Sequence, residues 1–189
     1  DLGNLTNLYS LNVLYNEGIQ RLPPTIGQLT NLEDLRLQQT NIEVLPDSIT
    51  NCTRLICLRI VETALLRLPE NIGVLTNLEE LMIVDTAIET LPESLTQLIN
   101  IQAFIIRNNR NLPGAIFQRE PFRPFIAGLR ERIGIDASRL DITGNTGAMV
   151  QVHPGQADQG RAYEVHNAFD VIRFNELVPI ISQIGRAHV

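Results

Sequence analysis

The sequence predicts an α/β solenoid: stacked coils form a parallel sheet on a concave face, short segments run along the convex side, and a helical cap closes the C-terminal end. Apolar residues recur with a period of 23 up to residue 113, and a fixed period of this kind indicates a repeat architecture. Within each period, buried and outward residues alternate as in a strand. After residue 113 the period stops and apolar residues adopt helical spacing.

Five copies of the repeat are readable in residues 1–113. They begin at Leu5, Leu29, Cys52, Leu75 and Leu98, and the last four starts are each 23 residues apart. The first copy is one residue longer, and the last closes two residues early. The residues before Leu5 look like the tail of an earlier copy, and an uncapped solenoid end would expose its leucines to water. We therefore expect the chain to be a fragment of a longer protein.

Each copy is predicted to contain a strand and a return segment. The Leu-x-Leu or Leu-x-Ile motif forms the strand, with the middle residue facing outward. A later Leu-Pro pair returns the chain along the convex side, where proline fits an extended or 3₁₀ segment without an N–H partner. A polar residue after each strand should bond to neighbouring backbone and keep the coils in register. These ladder residues are Asn16, Thr40, Thr63, Thr86 and Asn109.

The repeat pattern, written LxNLxxLxLxxTxIxxLPxxIxxL, resembles the repeats of Ras-group leucine-rich-repeat proteins and their bacterial relatives. It extends over residues 1–113 of the 189. The resemblance implies a leucine-rich-repeat solenoid and a function in protein–protein recognition, without naming a partner. We therefore assign residues 1–113 to the repeats and residues 114–189 to a mostly helical C-terminal cap or extension.

The charge distribution argues against two classes of partner. The net charge is −6, and residues 1–113 hold 7 Arg against 13 acidic residues, whereas the remainder is balanced. An acidic solenoid repels a phosphate backbone, so we expect no nucleic-acid partner. An anionic membrane surface is disfavoured for the same reason, so we expect no membrane partner.

The two cysteines, Cys52 and Cys57, lie in one copy of the repeat. The repeat register points Cys52 into the core and Cys57 out of it, so a disulfide between them is not expected. Two free thiols favour a reducing compartment. We expect a cytoplasmic protein, or one secreted into the cytosol of a host cell.

Outward strand positions of successive copies form three columns across the predicted concave face. The central column contains Asn12, Arg36, Arg59, Met82 and Ile105. The following column contains Leu14, Gln38, Val61, Val84 and Arg107, and the preceding column contains Ser10, Asp34, Cys57, Glu80 and Ala103. The residues expected to contact a partner protein are Asn12, Arg36, Gln38, Cys57, Arg59, Val61, Glu80, Met82, Val84, Ile105 and Arg107.

An apolar patch within these columns is the centre of the predicted binding site. It comprises four side chains, Val61, Met82, Val84 and Ile105. The pair Arg36 and Arg59 lies beside it, and exposed apolar surface next to arginine is typical of protein-binding hot spots. The alternative is that the C-terminal region folds over the apolar patch and covers it internally.

The chain after residue 113 is predicted to pack on the end of the stack. Helical spacing extends over residues 124–133 and stops at Gly134. Residues 140–145 look like a degenerate repeat strand. Residues 151–160 are polar and indicate a loop, and residues 161–174 and the chain beyond them indicate two further helices.

Candidate catalytic side chains occur only near the C-terminus, as His153, Asp158, Glu164, His166 and Asp170. His166 and Asp170 could meet on a helix, and a surface pair of that kind is the common structural interpretation. The alternative is a catalytic or metal site, but metal motifs need more ligands at tighter spacing. No serine-hydrolase elbow is present. We therefore predict no metal, no cofactor and no catalytic centre in this sequence.

All fifteen basic residues are arginine, and the chain contains no lysine. The first functional hypothesis is an interaction module that binds a protein. The second is the substrate-recognition region of a secreted bacterial effector with ubiquitin-ligase activity elsewhere, since ubiquitin is joined to lysine amines and a lysine-free protein escapes modification. The architecture resembles such leucine-rich-repeat effectors, and the partner would then be a host protein. It departs from the best-known family, whose repeats are shorter and whose ligase domain uses a cysteine.

Overall fold

Six parallel strands form one sheet, in which neighbours along the chain are also neighbours in space. The computed structural model describes residues 2–134 and 138–145. Its strands are β1 (Ser10–Asn16), β2 (Asp34–Thr40), β3 (Cys57–Thr63), β4 (Glu80–Val84), β5 (Ala103–Arg107) and β6 (Leu140–Asp141). The predicted α/β solenoid with its parallel sheet is therefore confirmed.

Short 3₁₀ segments return the chain between the strands on the opposite side of the core. They are Leu2–Asn4, Pro24–Gln28, Asp47–Asn51, Ile72–Val74, Glu93–Gln97 and Gly114–Gln118. Four of them follow directly on an extended proline, as at Pro46 with φ −65° and ψ 142°. Proline fits this place because its fixed φ suits extended backbone. It also has no backbone N–H that would need a hydrogen-bond acceptor.

The core lies between the sheet and the 3₁₀ segments and runs along the whole stack. In β2, Leu35 and Leu37 are fully buried, whereas Asp34, Arg36 and Gln38 are half-buried on the other face. The same alternation recurs in every coil from β1 to β4. A single coil is too thin to enclose its own leucines, so their burial depends on the coils stacked above and below.

The predicted ladder bonds between neighbouring coils are made near the C-terminal end of the stack, where Thr86 and Asn109 meet. Thr86 Oγ1 donates to Asn109 Oδ1 at 2.7 Å, and Asn109 Nδ2 donates to the carbonyl oxygen of Ile83 at 3.1 Å. Thr63 Oγ1 accepts a hydrogen bond from the backbone N–H two residues later at 3.4 Å. Thr40 Oγ1 is buried without a hydrogen-bond partner among the described residues, so the predicted bond is not made there.

One α-helix, α1 (Phe122–Ile133), follows the fifth coil. It begins two residues before the predicted start because Phe122, only 2% exposed, is part of the core. Pro124 is accommodated in the first helical turn, where its backbone nitrogen would have no helical partner. The ring of Phe125 packs edge-on against Phe104 of β5, with 5.4 Å between ring centroids. The helix is thereby anchored to the fifth coil.

The stack continues after α1, because a sixth coil follows it. The Cα of Leu140 in β6 pairs with that of Phe104 in β5, an offset of 36 residues instead of 23. With the same offset, Gly144, with φ 69°, and the buried Asn145 take the positions that Asn108 and Asn109 have in the fifth coil. Asn145 Oδ1 accepts a hydrogen bond from the Asn109 N–H at 3.1 Å, which extends the ladder. The predicted degenerate strand is confirmed, and α1 lies between coils in chain order rather than after the last one.

Three predicted elements lie outside the described residues: the loop at 151–160, the helix at 161–174 and the helix beyond it. Within residues 2–134 and 138–145, no helix is both long enough and apolar enough to span a membrane.

Replacement of Gly73 by alanine should lower the free energy of unfolding by about 1–3 kcal/mol. Gly73 is buried in a 3₁₀ segment, and a Cβ added there would overlap the backbone carbonyl of Ser94 in the next coil. Backbone atoms cannot rotate away, so the coils would have to separate. Chemical denaturation followed by circular dichroism measures the change.

The matched control is Gly128→Ala in α1, where no atom lies within 4 Å of the added Cβ. Alanine is favoured over glycine in a helix interior by about 1 kcal/mol, so this variant should be as stable as the parent or more stable. Equal stability of the Gly73→Ala variant and the parent would contradict close packing of the coils.

Candidate protein-binding face

The face of the sheet opposite the core carries the predicted columns in the predicted register. Arg36 lies between Asn12 and Arg59, and Met82 lies between Arg59 and Ile105. The flanking columns follow the same register and contain the other predicted contact residues, Gln38, Val61, Val84, Arg107, Cys57 and Glu80. All eleven side chains are therefore brought to the face of the sheet that carries the three columns, which we call the column face.

Arg36 and Arg59 are each held by a carboxylate. Arg36 donates from Nε to Asp34 Oδ1 at 3.0 Å and from Nη2 to Asp34 Oδ2 at 2.6 Å. Arg59 donates from Nε to Glu80 Oε1 at 2.5 Å and from Nη2 to Glu80 Oε2 at 2.9 Å. Because Arg59 donates these hydrogen bonds to the carboxylate of Glu80, the pKa of Arg59 is raised. Because two parallel hydrogen bonds fix the plane of a guanidinium, these arginines form rigid planar surfaces rather than mobile charges.

A third ion pair joins Arg107 to the sixth coil. Arg107 Nη1 lies 3.3 Å from Asp141 Oδ2, and the Asp141 side chain is only 9% exposed. Asp141 Oδ1 accepts hydrogen bonds from the backbone N–H and the hydroxyl of Thr143 at 2.9 and 2.7 Å. Every arginine in the columns of β1–β5 is therefore bound to a carboxylate.

The apolar patch is narrower than the spacing alone predicts. Val84 is 6% exposed and Ile105 is 5% exposed, whereas Val61 and Met82 are half-buried. Ile105 is flanked in register by Met82 on β4 and Asp141 on β6. The accessible part of the apolar patch therefore consists mainly of Val61 and Met82, and the buried Val84 and Ile105 lie beside them on the next strand in register.

The two cysteines point in opposite directions, as predicted. Cys52 is fully buried, Cys57 is half-buried on the column face, and both are free thiols. Burial first, then the carboxylates of Asp34 and Glu80, raise the pKa of Cys57 to about 12. The Cys57 thiol stays protonated at neutral pH and is a poor nucleophile, because only the thiolate reacts.

The β1 end of the face is polar. Ser10 Oγ and Asn12 Oδ1 are buried there without hydrogen-bond partners among the described residues. A buried polar atom that makes no hydrogen bond costs about 1–3 kcal/mol. The predicted contact residue Asn12 is thus less well satisfied than the paired arginines farther along the column.

Residues with left-handed backbone form a rim at the strand ends. This strand-end rim comprises Tyr15, Gln39, Glu62, Asp85 and Asn108, with φ between 50° and 58°, and each member directly precedes a ladder residue. Gln39 Nε2 donates to Glu62 Oε2 at 2.6 Å. The predicted contact residues did not include this rim, because its residue types differ from coil to coil. Their constant place before the ladder residue was the signal that could have identified them.

The described residues contain no group of three or more His, Cys, Asp or Glu side chains that could hold a metal ion. The cluster considered in the sequence, His153, Asp158, Glu164, His166 and Asp170, lies outside the residues that the structure describes. The column face instead carries apolar side chains, fixed guanidinium groups and hydrogen-bonding groups, and these are the groups with which protein surfaces bind other molecules.

Comparison with known proteins agrees with this architecture. The family described as leucine-rich repeat region matches residues 1–107. No curated protein sequence matches the chain significantly. Among solved structures, the chain is similar to the plant peptide hormone receptor RGFR1 in complex with RGF2, at 30% identity and a TM-score of 0.52 over 56% of this chain and 18% of that one.

Two further solved structures are similar. PEPR1–AtPEP1 matches at 26% identity and a TM-score of 0.58, over 76% of this chain and 19% of that one. The leucine-rich repeat domain of the type III effector XopL matches at 31% identity and a TM-score of 0.52, over 61% of this chain and 43% of that one. The chain thus spans less than half the length of each of these structures.

Cys57 should resist alkylation in the folded protein. With a pKa of about 12, only about one thiol in ten thousand is ionised at pH 8, so iodoacetamide labelling should be far slower than after denaturation. Peptide mass spectrometry separates Cys57 from Cys52, whose pKa burial raises to about 11.

The same shifts predict a pH dependence of stability. Above pH 9, the unfolded thiols lose protons that the folded ones retain, so the free energy of unfolding should fall as the pH rises from about 9 towards 12. Urea titrations at a series of pH values measure this change. Rapid alkylation of Cys57 at pH 8 in the folded protein would contradict the raised pKa.

Proposed function

The chain belongs to the leucine-rich repeat family, and we propose that it binds a partner protein on the column face of its sheet. The observation that carries the proposal is the accessible apolar surface of Val61 and Met82 beside the fixed guanidinium of Arg59. Apolar side chains adjoining arginine are characteristic of binding hot spots. The known complexes RGFR1 with RGF2 and PEPR1–AtPEP1 support a recognition role for this fold.

The ion pairs favour binding because they reduce its entropic cost. Free arginines lose side-chain rotamer freedom when a partner immobilises them, and this loss weakens association. Arg36 and Arg59 are already held by Asp34 and Glu80. Met82 adds an adaptable apolar contact, since its unbranched side chain fits partners of different shape.

The proposal assigns recognition to residues 1–113 and a capping role to residues 114–189. Within the described part of the later segment, Phe122, Ile126 and Leu129 of α1 join the core of the stack. The contact of α1 with the fifth coil supports the capping role. The burial of Val84 and Ile105 agrees with the alternative, internal cover of the apolar patch, whereas Val61 and Met82 keep part of their surface exposed and therefore available to a partner.

A second candidate function is substrate recognition for a ubiquitin ligase, with the ligase activity outside the described residues. The absence of lysine among 189 residues favours it, because arginine carries the same charge without an amine that accepts ubiquitin. The similarity to the leucine-rich repeat domain of a type III effector is compatible with delivery into a host cytosol and with a host protein as partner.

Simultaneous replacement of Arg59 and Met82 by alanine should abolish partner binding with little loss of stability. The Arg59–Glu80 pair is partly exposed, with side chains 34% and 25% accessible, and such pairs contribute about 0–1 kcal/mol. Affinity purification and quantitative mass spectrometry should identify proteins that are captured by the parent and lost with this variant.

The control variant is Leu66→Ala with Val74→Ala, which removes exposed apolar surface away from the column face. It should capture the same proteins as the parent. Thermal unfolding of both variants is measured in parallel, and a large fall in Tm of the Arg59 and Met82 variant would mean that these residues serve stability instead of binding.

Introduction of lysine tests the second candidate. Arg21 and Arg67 are exposed, and their joint replacement by lysine keeps the charge while adding two amines. In a eukaryotic cytosolic extract the lysine variant should acquire ubiquitin chains and decay faster than the parent. Joint replacement of the same two arginines by glutamine is the control, and equal decay of all three proteins argues against protection by lysine absence.

A further inference from the structure

Three carboxylates at the edges of the apolar patch lack an arginine partner. Glu79 directly precedes β4, Asp85 directly follows β4, and Glu62 lies near the end of β3. All three are exposed, and none takes part in an ion pair within the described residues. Glu62 and Glu79 accept hydrogen bonds from the neutral amides of Gln39 and Gln102. Their negative charges therefore remain uncompensated.

These carboxylates bracket the apolar patch on both sides. From Glu79 to Asp85 the chain crosses the face along β4, a distance of about 20 Å for extended backbone, and Met82 lies midway. Glu62 and Asp85 directly follow Val61 and Val84, which are paired in register on β3 and β4, and strands paired in this way are about 4.8 Å apart. Like charges placed side by side destabilise the free protein, so a cation at this edge would relieve their repulsion.

The positive charges of the same face are already neutralised. Arg36, Arg59 and Arg107 are each bound to a carboxylate. Within residues 2–134 and 138–145, an approaching segment therefore meets an apolar centre, negative edges and arginines that are already paired. Residues 1–113 as a whole are also negatively charged, with 13 acidic residues against 7 Arg. Such a surface attracts cationic partners and repels anionic ones.

We propose that the partner presents an extended, basic segment to the column face. An apolar side chain of the segment lies on Val61 and Met82, and lysine or arginine side chains on either side of it reach Glu79 at one edge and Glu62 and Asp85 at the other. This inference rests on the proposed function, because it takes the column face as the binding surface. It adds the chemical class of the partner and the residues that select it.

The test begins with a random peptide library displayed on phage and selected on the immobilised protein. The enriched peptides should carry an apolar residue flanked on both sides by lysine or arginine. The affinity of one synthetic enriched peptide is then measured by fluorescence anisotropy. The triple variant Glu62→Gln, Glu79→Gln, Asp85→Asn should bind it roughly tenfold more weakly than the parent, and added salt should weaken parent binding.

The matched control removes the same number of charges from exposed residues outside the strands. Glu43, Glu70 and Glu89 are exposed in the segments that lead away from the strands, and their joint replacement by glutamine should change the affinity less than about twofold. Because Asp85 has φ 52°, asparagine is the suitable replacement there, since it tolerates left-handed backbone.

The possible outcomes separate this inference from the proposed function. Enrichment of acidic or uncharged peptides overturns the basic segment, and so does equal affinity for the parent and the triple variant. If such peptides still lose binding with Arg59→Ala and Met82→Ala, the column face remains the binding surface and only the partner chemistry is wrong. If neither set of variants changes the affinity, both proposals fail.

Discussion

The structure depends on the burial of each coil's leucines by the coils next to it. One coil contributes only a strand and a short 3₁₀ segment. These two elements alone cannot shield residues such as Leu35 and Leu37 from water. Stacking in register removes these side chains from water on all sides. Because stacked coils share one core, their backbones must lie close together. This is why the 3₁₀ segments approach each other closely at Gly73 and why Asn109 can bond to the backbone of the preceding coil.

The same constraint builds the face that we assign to binding. When the inward residues of successive strands are in register, the outward residues are aligned as well, and Arg36, Arg59 and Met82 become neighbours although they are far apart in the chain. Arg59 thus meets Glu80, and Arg107 meets Asp141, across coils, whereas Arg36 pairs with Asp34 of its own strand; each ion pair holds a guanidinium group still. This rigidity supports the proposed function in recognition, since a surface that is ordered before binding loses less entropy when a partner arrives.

The sixth coil keeps its place in the sheet although it is longer than the repeat period. Helix α1 is inserted ahead of β6, and the offset between paired residues grows from 23 to 36. The coil nevertheless pairs in register, and Asn145 accepts from the backbone N–H of Asn109 in the same way that Asn109 accepts from that of Thr86. The sequence predicted this strand from its residue types, but it did not predict that Asp141 would bind Arg107, because the longer offset hides their proximity.

Taken alone, the sequence determined the period, the strand faces, the three columns and the opposite directions of Cys52 and Cys57. It could do so because alternation within a repeat of fixed length decides which way every side chain points. The tertiary structure alone decided that Val84 and Ile105 are buried and that Glu80 instead of Asp34 binds Arg59. It also decided that Glu62, Glu79 and Asp85 have no arginine partner in the described part of the chain. These features depend on distances between side chains of different coils, which spacing along one chain does not specify.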